Sequence, residues 1–204
     1  MRVLIIDYQI CNLSSVKRAF EECGAKVIVS NNPKDIEIAS HIVLPGVGAF
    51  SKAMNNLEQL GWVDSIKKIA ADGKVPIFGI CLGMQLLGNI SYENGTTEGL
   101  GILPGKIVKL VPNNKKERVP HVGWNELHIL RYNSIFDSIA TNTDFYFVHS
   151  YHFKPSNKCH QIAKTPYCGG FVSVIQFNNI IGVQFHPEKS SRSGFQLIKN
   201  FLNL

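Results

Sequence analysis

The sequence predicts an α/β fold with a central, mostly parallel sheet, helices on both of its faces, and extra antiparallel strands. In the first part of the chain, short β-branched runs alternate with amphipathic segments, an order typical of parallel strands joined by right-handed crossovers. From about residue 99, strand-like runs follow one another through short turns, which favours antiparallel pairing. No repeat or linker interrupts the chain, so we expect residues 1–204 to form a single domain.

The first eighty residues contain four predicted strands. These are the apolar or β-branched runs 2–6, 25–30, 41–46 and 75–80. Helical spacing of apolar residues follows the first strand and ends at Gly24, Pro33 is placed as the first residue of a second helical segment, and a third helical region covers roughly 49–72 and ends at Gly73. The run 75–80 is apolar throughout, as expected of a strand that is covered on both faces.

The later part of the chain predicts the added strands and a final helix. The strand-like runs are 100–111, 144–153, 160–165, 170–177 and 180–185. The segment 193–204 returns to helical spacing, with Phe195, Ile198 and Leu202 on one stripe that we expect to face the core.

Composition excludes several classes of protein. With 45% hydrophobic and 18% charged residues, the chain has the composition of a globular protein and not of a disordered one. No apolar stretch reaches the length of a membrane span, and Asp7 interrupts the N-terminal apolar run too early for a signal peptide, so we expect a cytoplasmic protein without membrane contact. The five cysteines include no C-x-x-C pair, which argues against a disulfide framework and a thiolate metal site. The net charge of +6 permits nucleic-acid binding, but the basic run 113–118 lacks aromatic residues and is predicted to be a solvated loop.

One cysteine occupies a turn suited to a nucleophile. The segment FGICLGMQ, residues 78–85, places Cys81 between Gly79 and Gly83 directly after an apolar strand. This spacing is the cysteine analogue of the G-x-S-x-G elbow, in which a sharp strand-to-helix turn lifts the nucleophile clear of the sheet. The N–H groups at the start of the helix favour a thiolate and an oxyanion, which makes the N–H of Leu82 a candidate oxyanion donor. From these residues alone, a buried structural cysteine is an equally good interpretation.

The candidate base for this nucleophile is His186. It ends an apolar strand, and Glu188 follows two residues later. Pro187 biases His186 toward an extended conformation, in which residues i and i+2 face the same way, so the Glu188 carboxylate can hold one imidazole nitrogen while the other accepts the thiol proton. The tripeptide alone is also typical of a surface turn, but together with the cysteine turn it predicts a Cys81–His186–Glu188 triad.

The motifs GICLGMQLL and FHPEKS together resemble those of the triad glutamine amidotransferases, which cleave the side-chain amide of glutamine. Within that family, LPGVGAF (44–50), PHVGWN (120–125) and FYFVHSYHF (145–153) look like the glutaminase subunits of imidazole glycerol phosphate synthase. The resemblance covers essentially the whole chain, and LPGVG is its most discriminating part. It implies a flavodoxin-like class I amidotransferase fold and a role in histidine biosynthesis.

The resemblance also implies roles for individual residues. Cys81 would form a γ-glutamyl thioester, and His186 would protonate the departing ammonia and then activate water. Further positions implied by the motifs are Gln85, which would contact glutamine, the backbone of Ser150 and Tyr151, which would hold its amino-acid end, and the loop with Val47 and Gly48, which would supply a second oxyanion N–H after a peptide reorientation.

The family resemblance implies a protein partner and no cofactor. Ammonia released into water becomes ammonium and is no longer a nucleophile, so it would pass through a channel in a TIM-barrel cyclase subunit. The chain is too short to contain such a barrel, and we expect a heterodimer. Tyr146, Lys189 and Trp124 are the candidates for the face toward the cyclase, although Trp124 could equally be a core residue.

The sequence departs from the family at its first turn, where Gln9-Ile10-Cys11 replaces the usual Gly-x-Gly. A turn that needs positive φ would be strained by these side chains, which leaves the ammonia acceptor open: a paralogous glutaminase serving a sugar-amidating synthase is the alternative. A stand-alone cysteine hydrolase and a non-catalytic scaffold are two further hypotheses. LPGVG and Gln85 argue against the first, and the intact triad argues against the second.

Overall fold

The computed structural model describes residues 1–204, which form thirteen strands and five α-helices. The strands are β1 (Arg2–Ile6), β2 (Lys26–Ser30), β3 (His41–Leu44), β4 (Ile77–Ile80), β5 (Ile90–Ser91), β6 (Thr97–Glu98), β7 (Gly105–Lys109), β8 (His121–Ile129), β9 (Thr143–His149), β10 (Tyr151–Pro155), β11 (Gln161–Thr165), β12 (Phe171–Phe177) and β13 (Ile180–Val183). The helices are α1 (Leu13–Glu22), α2 (Phe50–Gln59), α3 (Trp62–Asp72), α4 (Leu82–Leu86) and α5 (Ser191–Leu202), and four short 3-10 segments cover Pro33–Ile38, Ser134–Phe136, Lys158–His160 and Pro187–Lys189.

A nine-stranded sheet in the order β2-β1-β3-β4-β13-β12-β11-β8-β9 forms the centre of the fold. Its first five strands are parallel and the remaining pairings are antiparallel, so the sheet is evenly mixed where the sequence predicts a mostly parallel one. The sequence predicts the run 180–185 as one of the added antiparallel strands, and this prediction is wrong for one of the two edges of β13. β13 pairs in parallel with β4 and is antiparallel only to β12, and all four of its residues are buried, as is typical of a strand covered on both faces.

Helices cover both faces of the sheet, which confirms the predicted α/β class. Along β1, Val3 and Ile5 pack in a core shared with α1 and α5, whereas Leu4 and Ile6 pack in a second core with α2, α3 and α4. This alternation follows from the two-residue period of a strand. The second core also receives Phe153 from a smaller sheet, β10-β7-β5-β6, which the sequence did not predict.

Glycines with positive φ follow the first three helices. Gly24 (φ 91°) follows α1 and Gly73 (φ 67°) ends α3, both as predicted. The helical region expected over 49–72 is two helices, because Gly61 (φ 74°) breaks it between α2 and α3. None of the helices is long and apolar enough to cross a membrane.

The parallel pairing of β4 and β13 positions the candidate site. Ile80 lies opposite Val183, and the next residue, Cys81, donates its backbone N–H to the Val183 carbonyl at 2.8 Å. The carboxyl ends of the two strands therefore deliver Cys81 and the segment from Gln184 onward to the same edge of the sheet.

Candidate active site

Cys81 occupies a strained turn between β4 and α4. Its backbone has φ 53° and ψ −108°, a conformation that side chains other than glycine rarely adopt. The turn is possible because its neighbours are small: a Cβ at Gly79 would lie 2.9 Å from the Met84 backbone, and one at Gly83 would overlap the Leu44 carbonyl oxygen. The sharp turn that the sequence predicts at Cys81 is present.

The helix that follows Cys81 is short. α4 has only five residues, so the N–H groups of its first turn matter more than the dipole of a long helix. Leu82 is its first residue, and an N–H in this position has no partner within the helix. It is therefore available to an oxyanion at the sulfur.

His186 and Glu188 form a buried pair, as their spacing predicts. His186 is extended (φ −103°, ψ 95°), and its Nδ1 lies 2.8 Å from Oε1 of Glu188, with both side chains only 2% exposed. Because a carboxylate only accepts hydrogen bonds, Nδ1 carries the proton and Nε2 is the nitrogen left for another group. Nε2 is buried and makes no hydrogen bond.

Cys81 and Glu188 together raise the pKa of His186 to about 10. Burial is the largest single influence and lowers this pKa, but the interactions of the imidazole with Cys81 and Glu188 together outweigh it. Since Nε2 has no formed hydrogen bond, we attribute the effect of Cys81 chiefly to its charge. The Cys81 sulfur thus lies near enough to the imidazole to favour its charged form.

A cavity of about 410 Å³ opens over the sulfur. Its lining includes Cys81 and all six residues expected to bind substrate or oxyanion, which are Val47, Gly48, Leu82, Gln85, Ser150 and Tyr151. The size is that of a pocket for a small metabolite. The structure therefore brings the sequence-predicted nucleophile and binding residues to one cavity.

The sequence pattern of one protein family matches nearly the whole chain. The model of the class I glutamine amidotransferases covers residues 4–204. This chain belongs to the class I glutamine amidotransferases. The membership agrees with the resemblance carried by the cysteine turn and the HPE segment.

Curated relatives of this amidotransferase share its full length. "Imidazole glycerol phosphate synthase subunit HisH 1" of Campylobacter jejuni subsp. jejuni is 44% identical over 202 residues, which cover 99% of this chain and 100% of the relative. The HisH subunits of Moorella thermoacetica and Aquifex aeolicus are 46% and 45% identical, over 98% of this chain and 93% and 96% of theirs.

Solved structures with lower identity share the fold. PurLQS from Thermotoga maritima gives a TM-score of 0.76 at 17% identity, covering 99% of this chain and 97% of that one. The glutaminase domain of CTPS from Trypanosoma brucei gives 0.70 at 17% identity, covering 99% and 92%. At these identities the two structures support the amidotransferase fold and nothing finer.

Three residues of the site of this amidotransferase are not predicted from the sequence: two line the cavity and one contacts the Cys81 sulfur. Glu93 supplies the one acidic side chain of the lining, and its Oε2 accepts the Phe50 N–H at 2.7 Å. His149 also lines the cavity, and Gln184 is fully buried with its Nε2 3.7 Å from the Cys81 sulfur. The sequence gives no signal for Glu93 in a turn, but Gln184 could have been found, since it lies two residues before His186 on the same side of an extended segment.

In the loop expected to supply a second oxyanion donor, the N–H of Val47 is already engaged in a hydrogen bond. The Val47 N–H donates to the Ile10 carbonyl at 3.3 Å, while Gly48 has a φ of 91°. The Pro45 carbonyl accepts the Tyr8 hydroxyl at 2.5 Å and the Cys11 thiol at 3.6 Å. The divergent first turn therefore contacts this loop directly.

The divergent turn keeps a positive φ without glycine. Gln9 has φ 70°, and its N–H donates to the Asp7 carboxylate at 2.9 Å. The strain expected at this turn is thus present at one residue, at a cost of about 1–2 kcal/mol.

The three residues expected at a partner face lie together on β8, β9 and the segment after β13. Trp124 and Tyr146 are paired in register and their rings contact edge-on, with centroids 6.1 Å apart. Nζ of Lys189 lies 5.8 Å from the centre of the Tyr146 ring. Trp124 is 52% exposed, so the alternative that it is a core residue was wrong.

Proposed function

We propose that this chain is the glutaminase subunit of imidazole glycerol phosphate synthase. It hydrolyses glutamine to glutamate and ammonia, and the ammonia passes to a cyclase subunit that forms imidazole glycerol phosphate and aminoimidazole carboxamide ribonucleotide. The observation that carries the proposal is the buried His186–Glu188 pair beside Cys81, in a chain 44% identical over its length to HisH 1 of Campylobacter jejuni. We further propose that residues 1–204 act as one domain, because strands from both ends of the chain share one sheet.

Catalysis in this proposal proceeds through a thioester. The Cys81 thiolate attacks the carboxamide carbon of glutamine, and the imidazolium of His186 gives its Nε2 proton to the departing nitrogen, which leaves as ammonia. His186 then takes a proton from water, whose oxygen attacks the thioester carbon, and glutamate leaves as the sulfur regains its charge. Glu188 keeps the proton on Nδ1 throughout and so holds Nε2 toward the reacting atoms.

The oxyanion formed in each step needs N–H donors. Leu82 supplies one, because its N–H stands at the free start of α4. The Val47–Gly48 part of the loop supplies a second when the Val47 peptide turns away from the Ile10 carbonyl. Gly46, which directly precedes this peptide, permits that rotation at small cost.

Charge and hydrogen bonding in the cavity suit glutamine. The Glu93 carboxylate is placed to receive the α-ammonium group, and Gln85 and the backbone of Ser150 and Tyr151 complete the contacts to the substrate. A free amino acid carries one cation that must be neutralised on burial, which Glu93 can do.

The cyclase would dock on the surface formed by Trp124, Tyr146 and Lys189. A half-exposed tryptophan supported by a tyrosine is typical of an interface anchor. We place the complex in the cytoplasm, because a catalytic thiol must stay reduced.

One assay tests the proposal against its competitors. Glutamate release from glutamine is measured for the chain alone and with the cyclase, and a strong rise on adding the cyclase is the expected result. High activity without the cyclase would indicate a stand-alone hydrolase, and no activity in either case would indicate a scaffold. In the complex, Cys81→Ala should abolish glutamine-dependent synthesis and leave synthesis from ammonium salts intact.

A second candidate is a glutaminase that feeds a sugar-amidating synthase. It is favoured by the Gln9-Ile10-Cys11 turn, since this departure from the family touches the loop at Pro45 and Val47. Failure of the cyclase to stimulate glutamate release, together with stimulation by a sugar-amidating synthase, would select this candidate.

A further inference from the structure

A chain of hydrogen bonds outside the Cys81–His186–Glu188 triad leads from β8 to the cavity. Nδ2 of Asn125 lies 3.2 Å from Nε2 of His121, and Nδ1 of His121 lies 3.1 Å from Nε2 of His149. Nδ1 of His149 in turn lies 2.9 Å from the Tyr151 carbonyl oxygen. Both imidazoles are buried.

The Tyr151 carbonyl fixes the direction of every bond in this chain. Because a carbonyl only accepts, the proton of His149 is on Nδ1, and its Nε2 accepts from Nδ1–H of His121. Nε2 of His121 then accepts from the Asn125 amide. All four imidazole nitrogens are satisfied with both rings neutral, in keeping with burial, which lowers the pKa of His121 to about 4 and that of His149 to about 3.

The same carbonyl organises the groups next to the nucleophile. It also accepts Nε2 of Gln85 at 2.8 Å, and this Nε2 donates a second time, to Oε1 of Gln184 at 3.0 Å. Nε2 of Gln184 lies 3.7 Å from the Cys81 sulfur as a donor. The Tyr151 carbonyl thus orients the Gln85 amide, and the Gln85 amide in turn orients the Gln184 amide.

We propose that His121 and His149 are positioning residues of the glutaminase site: they hold the Tyr151 carbonyl so that Gln85 faces the substrate and Gln184 donates to the Cys81 sulfur. This inference rests on the proposed function. An N–H directed at the sulfur stabilises a thiolate, and Gln85, with both N–H groups engaged, presents only its oxygen to glutamine.

Packing alone does not account for the histidine pair. The His121 ring is stacked on Tyr167 at a centroid distance of 4.0 Å and on Phe147 at 5.0 Å, a setting that an aromatic hydrocarbon side chain would fill equally well. Only a ring with a donor and an acceptor can connect Asn125 with His149.

Two substitutions at one position separate positioning from packing. His149→Leu removes the donor to Tyr151, whereas His149→Asn keeps an N–H near the position of Nδ1. His128→Leu is the matched control, because His128 lies on β8 but is 43% exposed and pairs only with Glu126. For each variant, kcat and KM of glutamine hydrolysis are measured in the complex with the cyclase, and alkylation of Cys81 by iodoacetamide is followed in the isolated chain by peptide mass spectrometry.

The expected result is a graded loss at position 149. His149→Leu should lower kcat/KM about tenfold or more and slow alkylation of Cys81, while His149→Asn should stay within about threefold of the unmodified chain. Equal values for His149→Leu and His149→Asn, or no effect of either, would overturn the proposal. Because alkylation does not need the cyclase, it decides the positioning role even if the complex shows no glutaminase activity and the proposed function fails.

A second variant covers the case in which His149→Leu does not fold. Asn125 is only partly buried, so Asn125→Ala removes the side chain that donates to His121 with little change in packing. Alkylation of Cys81 should slow about twofold or more in this variant. An alkylation rate equal to that of the unmodified chain would contradict the proposal.

Discussion

Glu188 makes one hydrogen bond, and that bond decides which nitrogen of His186 is left for the reaction. Both side chains are buried, so water screens the attraction between the carboxylate and the imidazole less than it would at the surface. We expect Glu188→Gln to lower kcat of glutamine hydrolysis about 10²- to 10⁴-fold with a small change in KM, because the amide no longer favours the required tautomer and charge of His186.

The chain contains a matched control for this substitution. Glu126 and His128 have the same i, i+2 spacing and a 2.9 Å contact, but they are 41% and 43% exposed. Glu126→Gln should therefore leave kcat unchanged. Equal losses in the two variants, measured by glutamate release in the complex, would argue against the proposed role of Glu188.

Residue patterns in the sequence predicted the triad because each member carries a local signal. Cys81 lies between glycines and His186 has a carboxylate at i+2 beside a proline. Glu93 and His149 carry no such signal: they reach the cavity through a turn and through the end of β9, and only the tertiary fold brings them there. Spacing cannot reveal contacts of this kind.

Among the elements, the turn between β4 and α4 has the strictest packing requirement. A methyl group at Gly83 would overlap the Leu44 carbonyl of the neighbouring strand β3, so Gly83→Ala must displace α4 or β3. We expect Gly83→Ala to lower the free energy of unfolding by about 3 kcal/mol, as overpacking at a rigid contact does. Denaturant unfolding of the isolated chain measures this loss.

Gly73→Ala provides the comparison for Gly83. Gly73 has a φ of 67° and open space where its Cβ would lie, so alanine there adds backbone strain without a clash, at about 1–2 kcal/mol. A loss at Gly83 no larger than the loss at Gly73 would show that α4 adjusts freely and that the turn is less constrained than we infer.

Strands β8 and β9 hold two neutral histidines, which makes their stability sensitive to acid. The pKa of His121 and that of His149 are lowered to about 4 and about 3, against about 6.5 in an unfolded chain. Between these values the unfolded state binds more protons, so these two histidines leave the free energy of unfolding unaffected above about pH 6.5 and lower it as the pH drops toward 4.

Urea unfolding at a series of pH values tests this dependence. Between about pH 7 and pH 5, His149→Asn should lose less stability than the unmodified chain, because one of the histidines that take up protons on unfolding is gone. Parallel pH dependences in the two proteins would contradict the neutral, buried state of His149.

At the level of elements, the sequence predicted strands with strong local patterns and missed those defined by pairing. β1 to β4 are apolar runs bounded by helices, and all four were predicted. β8 alternates exposed, half-buried and buried residues and is stabilised by its register with β9, while β5 and β6 have two residues each. Such strands depend on their neighbours more than on their own composition.

For the whole molecule, the surface around Trp124 is the proposed docking site of the cyclase. Trp124 is supported by Tyr146 and flanked by the exposed Val122 and Val148. We expect Trp124→Ala to weaken binding of the cyclase about thirtyfold or more, as loss of an aromatic anchor does, while the fold stays intact. Titration calorimetry with the purified cyclase measures the affinity.

Tyr132→Ala is the control for the docking surface. Tyr132 is 84% exposed but lies beyond the opposite end of β8, away from Trp124. Its substitution should leave the affinity unchanged. Equal affinities for the Trp124→Ala variant and the unmodified chain would place the cyclase elsewhere on the molecule.

The overall architecture could be predicted from the sequence, because the alternation of strands and helices is encoded locally. The parallel pairing of β4 with β13 could not be predicted in this way. That pairing joins the two segments that carry Cys81 and His186, and it is set by the competition of all strands for positions in one sheet. The glutaminase site is in this sense a property of the topology.

Trapping the covalent intermediate is the most direct test that Cys81 attacks glutamine. The complex is mixed with glutamine, the reaction is quenched in acid, and the protein is digested. The mass of the peptide that contains Cys81 is then measured by mass spectrometry. We predict one γ-glutamyl group on Cys81, absent from the Cys81→Ala variant. Absence of the adduct combined with undiminished glutamate release by Cys81→Ala would contradict the account.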